Sequence, residues 1–146
     1  MLSVVMLDTC LMHSGFHALK ANVMADKILP EQLLNYLSNL DISNSLLVID
    51  CRSFLAYNSG HIVKAHNAHC PPIVRRRSGG SLSLENILRC EKTRDNLAQG
   101  HYRQIVVYDE NSQDIGQLPD DSTLTLVLKG LSCNSHDIDT FYLYGK

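Results

Sequence analysis

The stretch Ile49–Asn67, "IDCRSFLAYNSGHIVKAHN", contains the pattern that decides the fold. It begins inside a continuous apolar run, "SLLVID" (Ser45–Asp50), which is typical of a strand buried on both faces, as in parallel sheets. The segment "SFLAYNSG" then predicts a short helix with Gly60 as its C-cap. The remaining residues, "HIVKAHN", predict a loop that leads into a second strand.

Strands and helices also alternate on both sides of this stretch. Upstream, Pro30 suits the first turn of a helix, and the leucines that follow fall at helical spacing on one face. These leucines are Leu33, Leu34, Leu37 and Leu40. Downstream, helices are predicted for residues 81–90, 91–100 and 120–132, and strands for residues 103–110 and 137–146. The alternation predicts an α/β domain with a mostly parallel sheet.

Length and composition predict one globular domain. The chain has 146 residues, of which 45% are hydrophobic and 19% are charged. We place the domain at residues 24–146 and interpret residues 1–23 as an irregular N-terminal extension. The formal net charge of -2 argues against general nucleic-acid binding. No run of 18 apolar residues occurs, so the sequence predicts no membrane-spanning helix.

The cysteines predict neither a disulfide framework nor a metal site. There are five, an odd number, and they are widely spaced, which favours reduced thiols in the cytosol or nucleus. They are Cys10, Cys51, Cys70, Cys90 and Cys133.

The end of the first buried strand is one candidate site, because ligands bind beyond the carboxyl ends of parallel strands. Asp50 and Arg52 flank Cys51 there. The arginine either lowers the pKa of a nucleophilic thiol, or pairs with Asp50 while Cys51 is simply packed. No glycine-rich loop follows, which favours the second interpretation.

The histidines that follow give no metal-binding pattern. His61, His66, His69 and Cys70 lie within ten residues, but their spacing fits no closed zinc site. We therefore expect no metal and predict a structural hydrogen bond from the His61 ring. The acidic loop after "VVYD" lacks the register of a calcium loop and is interpreted as solvated.

The stretch "PPIVRRRSGG" (residues 71–80) contains three consecutive arginines, Arg75, Arg76 and Arg77. It is either a solvated patch or a docking segment. Adjacent like charges repel, and no carboxylate lies within the stretch to compensate. Ile73 and Val74 add apolar side chains of the kind that contact a pocket beside an acidic groove. No aromatic residues are interleaved for base stacking, so a protein partner is favoured over a nucleic acid.

The opening stretch resembles the signature of rhodanese and Cdc25-type domains. The residues that carry the resemblance are Asp50, Arg52, Tyr57, Gly60, His61, Ile62, Ala65 and Asn67. Together with "IVRRRSGGSLSLENIL" and "IVVYDENS", the chain is similar to the N-terminal kinase-binding domain of the dual-specificity MAP kinase phosphatases, most of all the inducible nuclear group. The resemblance covers about Leu29 to Leu143.

The resemblance implies a rhodanese-like fold, an open sheet with helices on both faces. It also implies that Arg75–Arg77 dock on the acidic groove of a MAP kinase of the ERK, p38 or JNK type. Ile73 and Val74 would accompany them, with further contacts from Leu84 and Ile87. No small-molecule cofactor, nucleic acid or membrane is implied. The expected location is the nucleus, the cytoplasm or both.

The chain departs from the resemblance at two points. An active rhodanese has its catalytic cysteine directly after the strand "IVVYD", where this chain has Asp109, and no cysteine begins a Cys-x5-Arg loop. We therefore expect no catalysis, and keep a sulfurtransferase or a Cdc25-like cysteine phosphatase as the alternative. The chain also stops at "LYGK", from which we expect a C-terminally truncated domain that lacks its last helix.

Overall fold

The computed structural model describes residues 25–71, 73, 84–110, 118, 122–132 and 137–144. The strands in these ranges are β1 (Asp26–Ile28), β2 (Leu46–Asp50), β3 (Ala65–Asn67), β4 (Gln104–Tyr108) and β5 (Asp139–Leu143). The helices in these ranges are α1 (Pro30–Ser38), α2 (Leu40–Ser43), α3 (Phe54–Ser59), α4 (Leu84–Ile87), α5 (Glu91–Ala98) and α6 (Thr123–Ser132).

The described strands form one five-stranded sheet in the order β1-β5-β4-β2-β3. Every pairing in it is parallel. The central strands β2 and β4 are the two continuous apolar runs, and all five residues of β2 are buried. A strand covered on both faces needs apolar side chains at every position, which explains why these runs do not alternate. The predicted parallel α/β fold is confirmed.

The sheet separates two apolar clusters. Leu47, Ile49, Ile105 and Val107 point to the face covered by α4, α5 and α6. The alternate residues of the same strands, including Leu46, Val48 and Val106, point to the face covered by α1 and α3. Successive strand side chains lie on opposite faces, so each central strand supplies both clusters. Helices therefore cover both faces, as expected.

The start of the fold differs from the sequence prediction in two respects. The edge strand β1 was not predicted; it pairs with β5, and Ile28 lies opposite Leu143. The leucine stripe of α1 is also shorter than predicted, because Asn39 is extended and the helix ends at Ser38. Asn39 then caps α2, where Leu40 is 75% exposed.

A second difference concerns the end of α3. Gly60 is the C-cap, as predicted, but its φ of 162° is extended and not left-handed. The start of α3 is well defined, because the Ser53 side chain caps the helix by accepting the N–H of Ala56. The predicted extension at residues 1–23 lies outside the described residues.

Candidate functional site

The carboxyl end of β2 carries a buried carboxylate. Asp50 is fully buried, and its Oδ1 accepts the backbone N–H of Arg52 at 2.8 Å. The Arg52 guanidinium covers the same carboxylate, with Nε 3.1 Å from both oxygens and Nη2 2.7 Å from Oδ2. A bidentate pair of this kind offsets much of the free energy lost by burying the charge. The predicted pairing of Asp50 with Arg52 is confirmed.

Two neighbouring strands complete this polar group. Asn67 and Tyr108 are the register partners of Asp50 on β3 and β4. The Tyr108 hydroxyl donates to Asp50 Oδ2 at 2.7 Å and accepts the N–H of Ile62 at 3.2 Å. Asn67 Nδ2 donates to the carbonyls of Asp50 and Arg52, each at 3.0 Å. We call these four residues, Asp50, Arg52, Asn67 and Tyr108, the Asp50 network.

The environment of Tyr108 keeps its hydroxyl protonated. Burial, followed by the hydrogen bond to the Asp50 carboxylate and its charge, raises the pKa of Tyr108 to about 12. The phenol is therefore a donor throughout the physiological range of pH. A donor is what the carboxylate needs, because ionised Asp50 can only accept hydrogen bonds.

Gly60 and His61 connect the Asp50 network to α3. Arg52 Nη2 donates to the carbonyl of Gly60, which holds the end of the helix against the strand end. His61 Nδ1 lies 2.9 Å from the carbonyl of Tyr57, and the two rings stack with centroids 3.8 Å apart. The structural hydrogen bond predicted for His61 is confirmed. Asp50, Arg52, Gly60 and His61 thus all make contacts within the fold.

Cys51 has the environment of an inert thiol. Its side chain lies in the cluster beneath α4, α5 and α6 and is 8% exposed. Burial raises the pKa of the Cys51 thiol well above its ordinary value, and the charges of Asp109 and Asp50 raise it further. A catalytic thiol needs a lowered pKa and access to substrate, and Cys51 has neither.

Asp109 follows β4 directly, at the position where the resemblance placed a catalytic cysteine. It is partly buried, and its negative charge is felt at Cys51. A carboxylate cannot carry a persulfide sulfur, and its field disfavours both a thiolate and an anionic substrate beside it. The residues described at this edge therefore do not support the sulfurtransferase or phosphatase alternative.

His61 and His66, which lie near β3, contact different residues. His61 contacts Tyr57, while His66 Nε2 lies 3.4 Å from the hydroxyl of Thr93. Burial lowers the pKa of His66, which favours its neutral form. Among the residues that the structure describes, no three His, Cys, Asp or Glu side chains come together as a metal site. The helices in the same ranges are all too short or too polar to cross a membrane.

The segment that contains the arginine run starts and ends at one fixed point. Ala68 and Leu88 form an isolated antiparallel bridge, and both side chains are buried. The N–H of Ala68 also donates to the carbonyl of Asp50 at 2.8 Å, which joins this point to β2. We call residues 69–87 the arginine segment. It leaves the sheet at the edge strand β3 and returns beside it.

The structure describes only part of the arginine segment. Ile73 is 53% exposed, which suits a residue predicted to contact a partner. Val74 and Arg75–Arg77 lie outside the described residues.

The predicted contribution of Ile87 to docking needs correction. Ile87 is completely buried and belongs to the core cluster, because the apolar side of α4 faces the sheet. Leu84 is partly buried against α6, where a Cβ added at Gly130 would lie 2.9 Å from Leu84 Cγ. Of the two, only Leu84 retains exposed surface for a partner.

Two features of this region were not predicted from the sequence. The role of Tyr108 depends on its register with Asp50, although a hydroxyl at the end of an apolar strand is a signal that could have indicated it. A small cavity near the start of α5, which includes Cys90, was also missed. In the sequence, Cys90 is one of five cysteines interpreted as reduced thiols, and it begins no Cys-x5-Arg loop.

Comparison with known proteins identifies relatives of this chain. The chain is 44% identical to human (Homo sapiens) dual specificity protein phosphatase 4 over 100 residues, which are 68% of this chain and 25% of that protein. It is 50% identical to the chicken (Gallus gallus) phosphatase of the same name over 86 residues, 58% of this chain and 23% of the relative. Dual specificity protein phosphatase 1 of Rattus norvegicus is 38% identical over 99 residues, 68% of this chain and 27% of that protein.

The matched region therefore spans about a quarter of the length of these curated relatives. The resemblance to the rhodanese-like region of dual-specificity phosphatases, first seen in the sequence, is confirmed. Residues 29–137, about three quarters of the chain, match the family described as "Rhodanese-like domain", and the chain belongs to that family.

Proposed function

We propose that this chain is a docking domain that binds MAP kinases through Arg75, Arg76 and Arg77, with Ile73 and Val74 as apolar companions. The observation that carries the proposal is the arginine segment itself: three adjacent arginines between two ends pinned by the Ala68–Leu88 bridge. The similarity to dual specificity protein phosphatases supports it, because such an enzyme has to engage a protein substrate.

The charge distribution supports a local basic surface. The chain as a whole carries a formal charge of -2, so three positive charges in a row stand out against a weakly negative background. An acidic groove on a partner would attract this run over about a Debye length, near 8 Å at physiological salt. Exposed Ile73 then offers an apolar contact that the charges alone lack.

The two contacts expected from α4, Leu84 and Ile87, have different roles in this proposal. Leu84 remains a secondary contact, since it lies at the return of the arginine segment and is only partly buried. Ile87 acts from within the core, where it holds α4 in place. The proposed domain is residues 24–146, and its proposed location is the nucleus, the cytoplasm or both.

Docking has a clear role if the chain acts next to a phosphatase domain, as the relatives' names suggest. Binding at the groove would make the second encounter intramolecular and raise the local concentration of the catalytic domain at the kinase. A chain that carries only the docking domain would instead compete for the groove.

The test is a calorimetric titration with purified ERK-, p38- and JNK-type kinases. The variant Arg75→Ala/Arg76→Ala/Arg77→Ala removes the run. At about 1 kcal/mol for each contact, we expect affinity to fall on the order of a hundredfold. Affinity of the unchanged chain should fall when salt is raised from about 50 to about 300 mM.

A matched control separates a docking site from net charge. The variant Lys92→Ala/Arg103→Ala/Lys129→Ala removes the same charge from α5, from the residue before β4 and from α6. We expect it to bind within about twofold of the unchanged chain, because none of these three residues belongs to the arginine run. An equal loss of affinity in both variants, or no loss in either, would overturn the proposal.

A further inference from the structure

A cavity of about 180 Å³ lies between the edge strand β3, helix α3 and the start of α5. Its walls are mainly apolar and include Phe54, Tyr57 and Leu88. An engineered cavity of about 150 Å³ in another protein is known to bind benzene, so this space is large enough for one aromatic ring. Leu88 is also the residue whose backbone closes the arginine segment.

The cavity is also lined by a thiol and by two polar side chains. Cys90, Thr93 and His66 all line it. His66 Nε2 lies 3.4 Å from Thr93 Oγ1, so in the tautomer that carries a proton on Nε2 the imidazole donates to the hydroxyl. Two of these polar side chains thus lie close to each other, and Cys90 lines the same cavity, as do Asn67 and Arg89.

Cys90 differs from the other described cysteines in its exposure. Cys51 and Cys70 are buried, whereas Cys90 is exposed and opens onto the cavity. It is the N-cap residue of the eight-residue helix α5, and its thiol makes no standard capping hydrogen bond. The pKa of the Cys90 thiol is lowered, first by the Thr93 hydroxyl, then by the backbone N–H of Thr93, with Arg94 adding a positive charge.

We propose that this cavity is a modification site, in which Cys90 exchanges with a small disulfide whose transferred half is about the size of one aromatic ring. The ring packs against Phe54, Tyr57 and Leu88, which places its sulfur beside Cys90. Arg89, whose guanidinium lies 5.7 Å from the centre of the Phe54 ring, provides positive charge at the rim for a carboxylate on the ligand. The inference does not depend on the proposed function.

The reaction is a thiol–disulfide exchange. The Cys90 thiol loses its proton to solvent, and the thiolate attacks one sulfur of the disulfide. A bond forms between Sγ and that sulfur, the disulfide bond of the reagent breaks, and its other half leaves as a thiolate. One disulfide is consumed and one is formed, so no separate oxidant is required.

The test uses dithiobis(nitrobenzoate), an aromatic disulfide with a carboxylate on each ring. The full chain is treated with this probe, both folded and unfolded in urea, and the adduct on Cys90 is followed by peptide mass spectrometry. We expect Cys90 to react at least about fivefold faster in the folded chain, because the cavity orients the ring and the helix start favours the thiolate. An equal or slower rate in the folded chain would overturn the proposal.

Variants distinguish the cavity from a merely accessible thiol. Phe54→Ala removes one apolar wall and leaves Cys90 unchanged. We expect it to slow the aromatic disulfide at least about threefold while hydroxyethyl disulfide, which has no ring, reacts as before. Equal effects on both reagents would overturn the role of the cavity.

A second pair of variants tests the polar wall. Thr93→Val removes the hydroxyl, and we expect it to slow both reagents, whereas Thr93→Ser should restore the rate. Circular dichroism of each variant establishes that it is folded. Failure of Thr93→Ser to react faster than Thr93→Val would contradict the role of the hydroxyl.

Discussion

The strands β2 and β3 end side by side at the carboxyl edge of the sheet, but their charged residues are used differently. At the end of β2, the Arg52 guanidinium is committed to a buried carboxylate and to the carbonyl of Gly60. After β3, the chain leaves through the pinned Ala68 into a segment with three arginines. The arginine in the family signature therefore stabilises the fold, and a binding role is best sought in the run outside that signature.

The largest expected effect is at the end of β2. Arg52→Ala should reduce the free energy of unfolding by about 3 kcal/mol, because it leaves the fully buried Asp50 carboxylate without its counter-charge. Urea denaturation at neutral pH measures the change. Arg103→Ala, at an exposed arginine, serves as the control and should cost no more than about 0.5 kcal/mol. A similar small loss for both variants would erase the distinction between the two strand ends.

A smaller effect is expected at Tyr108. Tyr108→Phe removes a hydrogen bond to Asp50 and should cost about 1–2 kcal/mol at pH 8. The folded pKa of about 12 lies above the ordinary value near 10, so the protonated phenol is favoured in the folded chain. Its stabilising contribution is therefore complete below pH 10 and lost as the pH rises towards 12.

The free energies of unfolding of the unchanged chain and of Tyr108→Phe can be compared by urea denaturation from pH 8 to about pH 11. The difference in stability between the unchanged chain and Tyr108→Phe should shrink at the alkaline end. A difference that stays constant or grows would mean that the phenol proton is not shared with Asp50.

The smallest effect on stability is expected in the arginine segment. Replacing Arg75, Arg76 and Arg77 with alanine should change the free energy of unfolding by no more than about 0.5 kcal/mol, because relief of repulsion between adjacent charges offsets lost local contacts. The same urea assay measures it. A loss close to that of Arg52→Ala would indicate that the run is part of the structural framework, which would weaken the docking proposal.

The sequence was most informative where one strand alone determines the structure. The runs that became β2 and β4 are apolar at almost every position because both faces are covered, and such a run is visible without knowledge of its neighbours. β1 has only three residues, and two of them, Asp26 and Lys27, are charged and exposed. Its strand conformation depends on pairing with β5, which lies more than 100 residues away in sequence.

The candidate site follows the same rule. Asp50 and Arg52 are two residues apart, so their pairing could be predicted. Tyr108 reaches Asp50 across 58 residues, and only the register of β2 with β4 brings them together. The resemblance implied a partner contact for Ile87, which is buried in the core. An apolar helix face has the same spacing whether it packs in the core or contacts another protein. The sequence does not distinguish these two outcomes; burial does.

The Ala68–Leu88 bridge has a consequence for how such a domain can diversify. Because both ends of the segment are fixed to buried positions, residues can be inserted between the buried Cys70 and Ile87 without altering the register of the sheet. Doubling the length of a flexible loop costs only about 0.6 kcal/mol of closure entropy, so insertions between these two points are inexpensive. The bridge thus allows a different recognition sequence to be inserted between two fixed points of the same fold.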